Sequence, residues 1–344
     1  MELLHFAKTG NVKEATKQAF SKARQKLDPT TFVLMNQKLI QEFYTDNEIK
    51  DFKGFRPLAI DGSKVQLPSS KELIEHYGTI SSNKTLPLAM VSTLFDVLNN
   101  VTIDALIYPH KTSERNLAIE HIKNLAKINS NTKFEESKLK DLFIFDRGYP
   151  SMHLIMLLRE IKKDFLMRCP SNCVSDVQEA VKSGKEDQTI EIKISNLGKC
   201  IKSRLRKKIP NIDENTILKV RVLVSKLKSG EQEILLTSLL DKTKYSSADM
   251  FELYNKRWDA EENYKFHKSI AAMENFSGKL KLTIEQNFFA TIFTCNVAAL
   301  LMQEAQDDIS ELLERKKYKH KYKINRNIGL GLMNYPAASC TLQL

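Results

Sequence analysis

Tyr254 to Lys268, read as YNKRWDAEENYKFHK, contains Tyr254-x2-Arg257-x3-Glu261-x6-Lys268. On a helix, with Tyr254 as zero, Arg257 falls near about −60°, Glu261 about −20°, Lys268 about −40° and Lys265 about +20°. A phenol, three cations and one carboxylate therefore share one narrow stripe. Phe251, Trp258, Phe266, Ile270 and Met273 fall on a second arc, read as the core face that fixes the helix; Trp258 is accordingly read as core packing. A lone acid among cations and a phenol suits a metal ion beside a phosphodiester, although a mixed-charge helix is also what a solvated surface looks like. Two more acids weigh on that choice. Asp61 ends the apolar run LAI and Asp146 ends LFIF. Each stands beside a glycine in a pattern that also serves plain turns. Three converging carboxylates would repel unless a divalent cation neutralised them. Hard oxygen ligands select Mg²⁺, for which Mn²⁺ could substitute. Such ions activate an attacking oxygen and stabilise a leaving one, the chemistry of phosphodiester cleavage or strand transfer.

The elements that must position these acids follow from periodicity. Residues 1–50 read as helical: VKEATKQAFSKARQKL is amphipathic, Asp28-Pro29 offers a cap and first-turn proline, and TTFVLMNQKLIQEFY follows. The pair could contact DNA through Lys17, Lys22, Arg24 and Lys26, or be a helical hairpin packed on the main domain. From Phe55 the pattern turns to strands. FRPLAIDGSKVQL is followed by a polar loop over 69–84, then by LAMVSTLFDVL and VTIDALIYP, joined at Asn99-Asn100 as a hairpin. Next come the helix ERNLAIEHIKNLAK, the buried strand DLFIF, a helix capped by Ser151, and the strand DFLMRCP. The order βββαβαβ is an α/β mixed sheet flanked by helices, with the strand order of the ribonuclease H fold. In that fold the first and fourth strands are neighbours, which sets Asp61 beside Asp146.

The expected organisation is a helical part over 1–50, a catalytic core over 51–170 and 248–310, a β-rich insertion over 171–247, and a basic tail over 311–344. The insertion carries Lys202, Arg204, Arg206, Lys207 and Lys208, a run that could bind phosphates or be a solvated loop. The tail interleaves Tyr318 and Tyr322 with cations. KLTIEQNFFATIFTCNVAALLMQEAQ reads as a core helix, too polar at its start to span a membrane.

The 344 residues carry a net charge of +11, with 42% hydrophobic and 28% charged residues. That balance favours a nucleic-acid partner, with a membrane surface as the weaker alternative. MELLHFAKTG lacks the order of a signal peptide, and the chain is read as cytoplasmic, associated with the nucleoid when on DNA. Five irregularly spaced cysteines are read as buried thiols without disulfides.

LAIDGS, FDRGYPS and ELYNKRWDAEENYKFHK together resemble the DDE transposases of bacterial insertion sequences, the insertion-sequence-four type with a YREK signature. The resemblance covers residues 10 to 325, and the β-rich insertion is part of it. It implies that Asp61, Asp146 and Glu261 form a metal-binding catalytic triad, while Tyr254, Arg257 and Lys268 hold phosphates. It implies cleavage at element ends and strand transfer by transesterification. The implied partners are double-stranded DNA, as terminal inverted repeats and target, and a second copy in a paired-end homodimer. The alternatives are a metal-dependent DNA nuclease without strand transfer and a truncated, catalytically silent DNA-binding remnant. The family's longer ends make the N-terminal helical part and the aperiodic PAASCTLQL look short.

Overall fold

A computed structural model describes residues 16–46, 49–80, 83–130, 139–170, 172–227, 229–269, 275–316 and 324. Strand β1 (Phe55–Gln66) buries its first six residues, as a strand covered on both faces must. A short β2 (Thr79–Ile80) pairs with β3 (Asn83–Asp96), which runs antiparallel to β1 with Asp61 opposite Thr93. β3 folds back onto β4 (Val101–Pro109) through the expected hairpin. Its Asn100 takes φ 57°, a left-handed value that asparagine tolerates. β5 (Lys140–Phe145) runs parallel to β1 with Ile60 opposite Phe145, and β6 (Asp164–Cys169) runs parallel to β5. The order β4-β3-β1-β5-β6, three antiparallel strands followed by two parallel ones, is the ribonuclease H order.

Helices α1 (Lys17–Arg24) and α2 (Thr30–Asp46) precede the sheet. Arg24, one of the four cations proposed for DNA contact, instead donates to Gln286 at 2.8 Å and fastens α1 to the C-terminal helix. Residues 69–84 are not simply a loop. Ser70 caps α3 (Lys71–Tyr77), which buries Leu73 and Tyr77 one turn apart; that apolar pair outweighs the polar composition around it. Two crossover helices, α4 (Glu114–Ser130) and α5 (Met152–Glu160), make the parallel connections, and Ser151 caps α5 by accepting from the Leu154 amide at 3.2 Å.

Beyond β6 come α6 (Ser175–Lys182), β7 (Asp187–Lys193), α7 (Lys199–Lys208), β8 (Ile217–Lys226) and β9 (Gln232–Thr237). Their strands continue the sheet: β9 pairs antiparallel with β6, β8 with β9 and β7 with β8. Arg221 on β8 is wholly buried, binds Asp187 through two nitrogens at 2.9 and 2.7 Å and donates to the Tyr245 carbonyl at 2.7 Å. This bidentate geometry ties these added strands of the sheet to the chain entering the next helices.

Those helices are α8 (Ser247–Asn255) and α9 (Arg257–Ser269), so the single helix expected over 254–268 is interrupted at Lys256. The last helix, α10 (Lys281–Lys316), buries Ile284, Phe288, Ile292, Cys295 and Ala298. By length and composition Lys281–Gln306 could cross a membrane, yet this stripe covers β3, β4 and α3, and its Asn296 accepts from the Thr102 amide at 2.8 Å. Tyr318, Tyr322 and Cys340 lie outside the described residues. Cys169 and Cys295 are buried as expected, Cys173 is half-buried, and Cys200 is exposed because it sits on the outer turn of α7.

Candidate active site

Asp61 and Asp146 stand where β1 and β5 part company. The two strands pair up to Ile60 and Phe145, after which β5 ends while β1 continues along β3. The aspartates are therefore adjacent at the C-terminal ends of parallel strands, where a crevice opens in sheets of this kind. Asp61 is fixed from behind. Its carbonyl accepts from the Ser92 hydroxyl at 3.0 Å. Ser92 bonds His121 Nε2 at 3.0 Å, and His121 Nδ1 bonds Asp104 at 2.8 Å. Ser92 and His121 are fully buried and Asp104 nearly so, so this serine–histidine–aspartate chain positions a strand and meets no substrate. Sequence reasoning missed it. The available signal was His121 on the apolar arc of Leu117, Ala118, Ile122 and Leu125.

Glu261 arrives from the other side. A capping box at Ser246 and Asp249 starts α8, with the Lys53 ammonium paired to Asp249. Met250, Leu253 and Tyr254 are buried, and Ala260 and Asn263 bury the start of α9. The Asn263 amide donates to Thr102 on β4 at 3.3 Å. The expected faces are reversed: Tyr254 and Arg257 are buried, whereas Trp258, read as core, is 51% exposed. Burial at 250, 253, 254, 257 and 260 is itself a helical stripe, and it excludes Trp258. Phe251 is only half-buried, and the side chains of Phe266, Ile270 and Met273 lie outside the described residues.

Arg257 joins the two sides. Its guanidinium is 2.7 Å from Glu261 and 3.8 Å from Asp146, and the Tyr254 hydroxyl donates to Asp146 at 3.2 Å. Burial opposes the Arg257 charge, but Tyr254, Asp146 and Glu261 offset it and hold its pKa above the ordinary value. Its Nε is buried without a hydrogen-bond partner among the described residues. Asp61 is pushed up to about 6, chiefly by burial; the Gly62 amide and Arg257 act against the rise, and Glu261 and Asp146 add to it. Asp61 thus senses both other acids of the expected triad.

Among the described residues no group of three or more His, Cys, Asp or Glu side chains is closed around one point. The guanidinium of Arg257 is the cation that links Asp146 to Glu261. The donor chemistry nonetheless fits a hard divalent ion. All three groups are carboxylates, and the charge of such an ion would bring the raised Asp61 pKa down.

Lys265 and the cations of α7 are not gathered here. Lys265 is exposed and pairs with Glu262 at 2.7 Å; the Lys268 side chain lies outside the described residues. Lys202, Arg204, Arg206, Lys207 and Lys208 form α7, not a loop, because Leu205 anchors it in the core. Lys202 donates to the Ser195 carbonyl at 3.0 Å and Arg206 pairs with Glu214. Arg204, Lys207 and Lys208 line a 540 Å³ cavity that also takes in Arg115, Pro150 and His153. Arg115 holds the loop after Asp146, donating to the Gly148 carbonyl at 3.0 and 2.8 Å.

The family model described as the transposase DDE domain matches residues 53–297, a span that contains both strand ends and both late helices. The chain belongs to that family. It is 23% identical over 298 residues to the transposase InsG for insertion sequence element IS4 of Escherichia coli strain K12, covering 85% of this chain and 62% of that protein. The chain thus spans less than two thirds of the length of this curated relative. A solved piggyBac transposase, in a synaptic complex with hairpin DNA, aligns over 81% of this chain and 51% of its own, at 11% identity and a TM-score of 0.45.

Proposed function

We propose that this DDE-family chain is a DNA transposase of the insertion-sequence-four type, cleaving DNA at element ends and joining the freed 3′ end to target DNA. The observation that carries the reading is that Arg257 links Asp146 to Glu261 while Asp61 stands beside Asp146 at the ends of two parallel strands. Mg²⁺ or Mn²⁺, held by those carboxylates, would activate the attacking oxygen and stabilise the leaving one. Tyr254 fixes the orientation of Asp146 through its hydroxyl. Arg257, desolvated and already aimed into the site, supplies positive charge for the scissile phosphate, where a preorganised cation acts most strongly. In cleavage, water adds to phosphorus and the 3′ oxygen leaves with the proton that water loses. In joining, that 3′ hydroxyl attacks a target phosphodiester, one P–O bond forming as another breaks.

Double-stranded DNA is the proposed partner, as element ends and as target, with a second copy of the chain in the paired-end complex. A net charge of +11 and the exposed cations of α7 support an extended anionic ligand. The test is incubation with the flanking inverted repeats and Mg²⁺, comparing wild type with Glu261→Gln. Wild type should nick and join while the variant does neither. Cleavage without joining would identify a nuclease. Binding without cleavage would identify a silent remnant, and equal cleavage by both proteins would sink the assignment of Glu261.

A further inference from the structure

Glu114 opens α4, the helix that follows the β4 hairpin strand, and its side chain passes between the two exits that carry Asp61 and Asp146. A Cβ placed on Gly62 would lie 3.3 Å from Glu114 Cγ and 3.7 Å from Cδ; one placed on Gly148 would lie 3.9 Å from Glu114 Oε2. Neither glycine has a positive φ, so backbone conformation does not explain them. The close approach of Glu114 does explain Gly62. Glycine one residue after Asp61, and again two after Asp146, leaves the Glu114 carboxylate its place beside the aspartates. Glu114 is half-buried there and makes no hydrogen bond or ion pair with a described residue. Its neighbour Arg115 donates instead to the Gly148 carbonyl, and Lys64 and Lys111 line the same pocket as Glu114.

A second, separate observation marks the same space. Tyr149 is 2% exposed, packed against Phe145, and its hydroxyl has no hydrogen-bond partner among the described residues. Its backbone amide donates to the Asp146 carbonyl at 3.0 Å, which sets the ring beside the strand exit. A buried hydroxyl left without a described partner calls for a polar ligand there.

We propose that Glu114 is a fourth carboxylate ligand of the divalent-cation site, a reading that rests on the proposed metal chemistry of Asp61, Asp146 and Glu261. The ligand class is a hard divalent cation taking oxygen donors, and Glu114 would reach it from the start of α4, past Gly62 and Gly148. The test is Mn²⁺ binding to the full chain without DNA, followed by electron paramagnetic resonance, for wild type, Glu114→Gln, Glu114→Asp and Asp61→Asn. Glu114→Gln should bind at least about tenfold more weakly than wild type, with Glu114→Asp in between. Wild-type affinity in Glu114→Gln, with loss in Asp61→Asn, would overturn the role of Glu114 and leave the triad reading standing. Wild-type affinity in Asp61→Asn would place the ion elsewhere and overturn both. Should Glu114→Gln fail to fold by circular dichroism, Glu114→Asp decides: several-fold weaker binding upholds the proposal and unchanged binding overturns it.

Discussion

Arg257 and the cations of α7 are two basic regions in opposite environments. Arg257 is 3% exposed and held between Glu261 and Asp146. Arg204, Lys207 and Lys208 are exposed on a helix held to the core through Leu205, and their helix mate Arg206 meets its acid, Glu214, in solvent. Charges in water interact weakly and are screened within about 8–10 Å at physiological salt. A desolvated guanidinium is strongly coupled to its acids and costly to strand or remove. Equal formal charge therefore implies unequal roles: fixed geometry at the crevice, adjustable attraction at α7.

Removing Arg257 should give the largest effect. Arg257→Met leaves Glu261 and Asp146 facing each other without their shared cation. The expected loss of stability is about 2–3 kcal/mol, below the range for a fully buried pair because both acids keep contact with water. Cleavage should fall by about 100-fold or more. Arg257→Lys should recover little, since one ammonium cannot span the two carboxylates as a planar fork does. Melting curves and nicking rates check this; a variant as stable as wild type would erase the contrast with α7.

Asp61 tests the same desolvation from the acid side. Its carboxyl rises from the ordinary 3.8 to about 6, so the folded chain holds this proton more tightly than the unfolded chain. Stability then falls as pH rises through that interval. At neutral pH the ionised group costs the metal-free protein on the order of 3 kcal/mol. Asp61→Asn should stabilise the chelator-treated protein by about 2 kcal/mol at pH 7.5 and by almost nothing at pH 3.5. Mg²⁺ should raise the melting temperature of wild type and leave the variant unmoved. Equal stability of the two proteins at both pH values would show that Asp61 is not held in the environment described.

Both aspartates were legible because each terminates an apolar run, and the order βββαβαβ makes those runs neighbours. The late helices were half legible. Two apolar sets compete along residues 250–270: Met250, Leu253, Tyr254 and Ala260 on one stripe, Phe251 and Trp258 on another. Anchoring the wheel on the larger rings turned Tyr254 and Arg257 outward, whereas the sheet takes the other stripe and buries a charged side chain along with it. Helical periodicity cannot rank a stripe that contains arginine, because Glu261 one turn on reads equally well as a solvated partner and the second acid, Asp146, lies far away in sequence. The Ser92–His121–Asp104 chain and Glu114 were hidden for the same reason, each depending on contacts between elements.

Lys207→Ala with Lys208→Ala carries the smallest expected effect on the protein and the clearest on its ligand. Both side chains are exposed and pair with no described acid, so the melting temperature should stay within experimental error. If each ammonium neutralises one phosphate, the slope of log affinity against log salt should become shallower by about 0.9 per lysine. Affinity for the element end would then fall at low salt and converge on wild type as salt rises. Nicking at saturating DNA should be unchanged, because the charge that acts at the crevice is that of Arg257. A reduced nicking rate on saturating DNA would mean that α7 shapes the crevice as well as attracting DNA, and the division between fixed and adjustable charge would have to be redrawn.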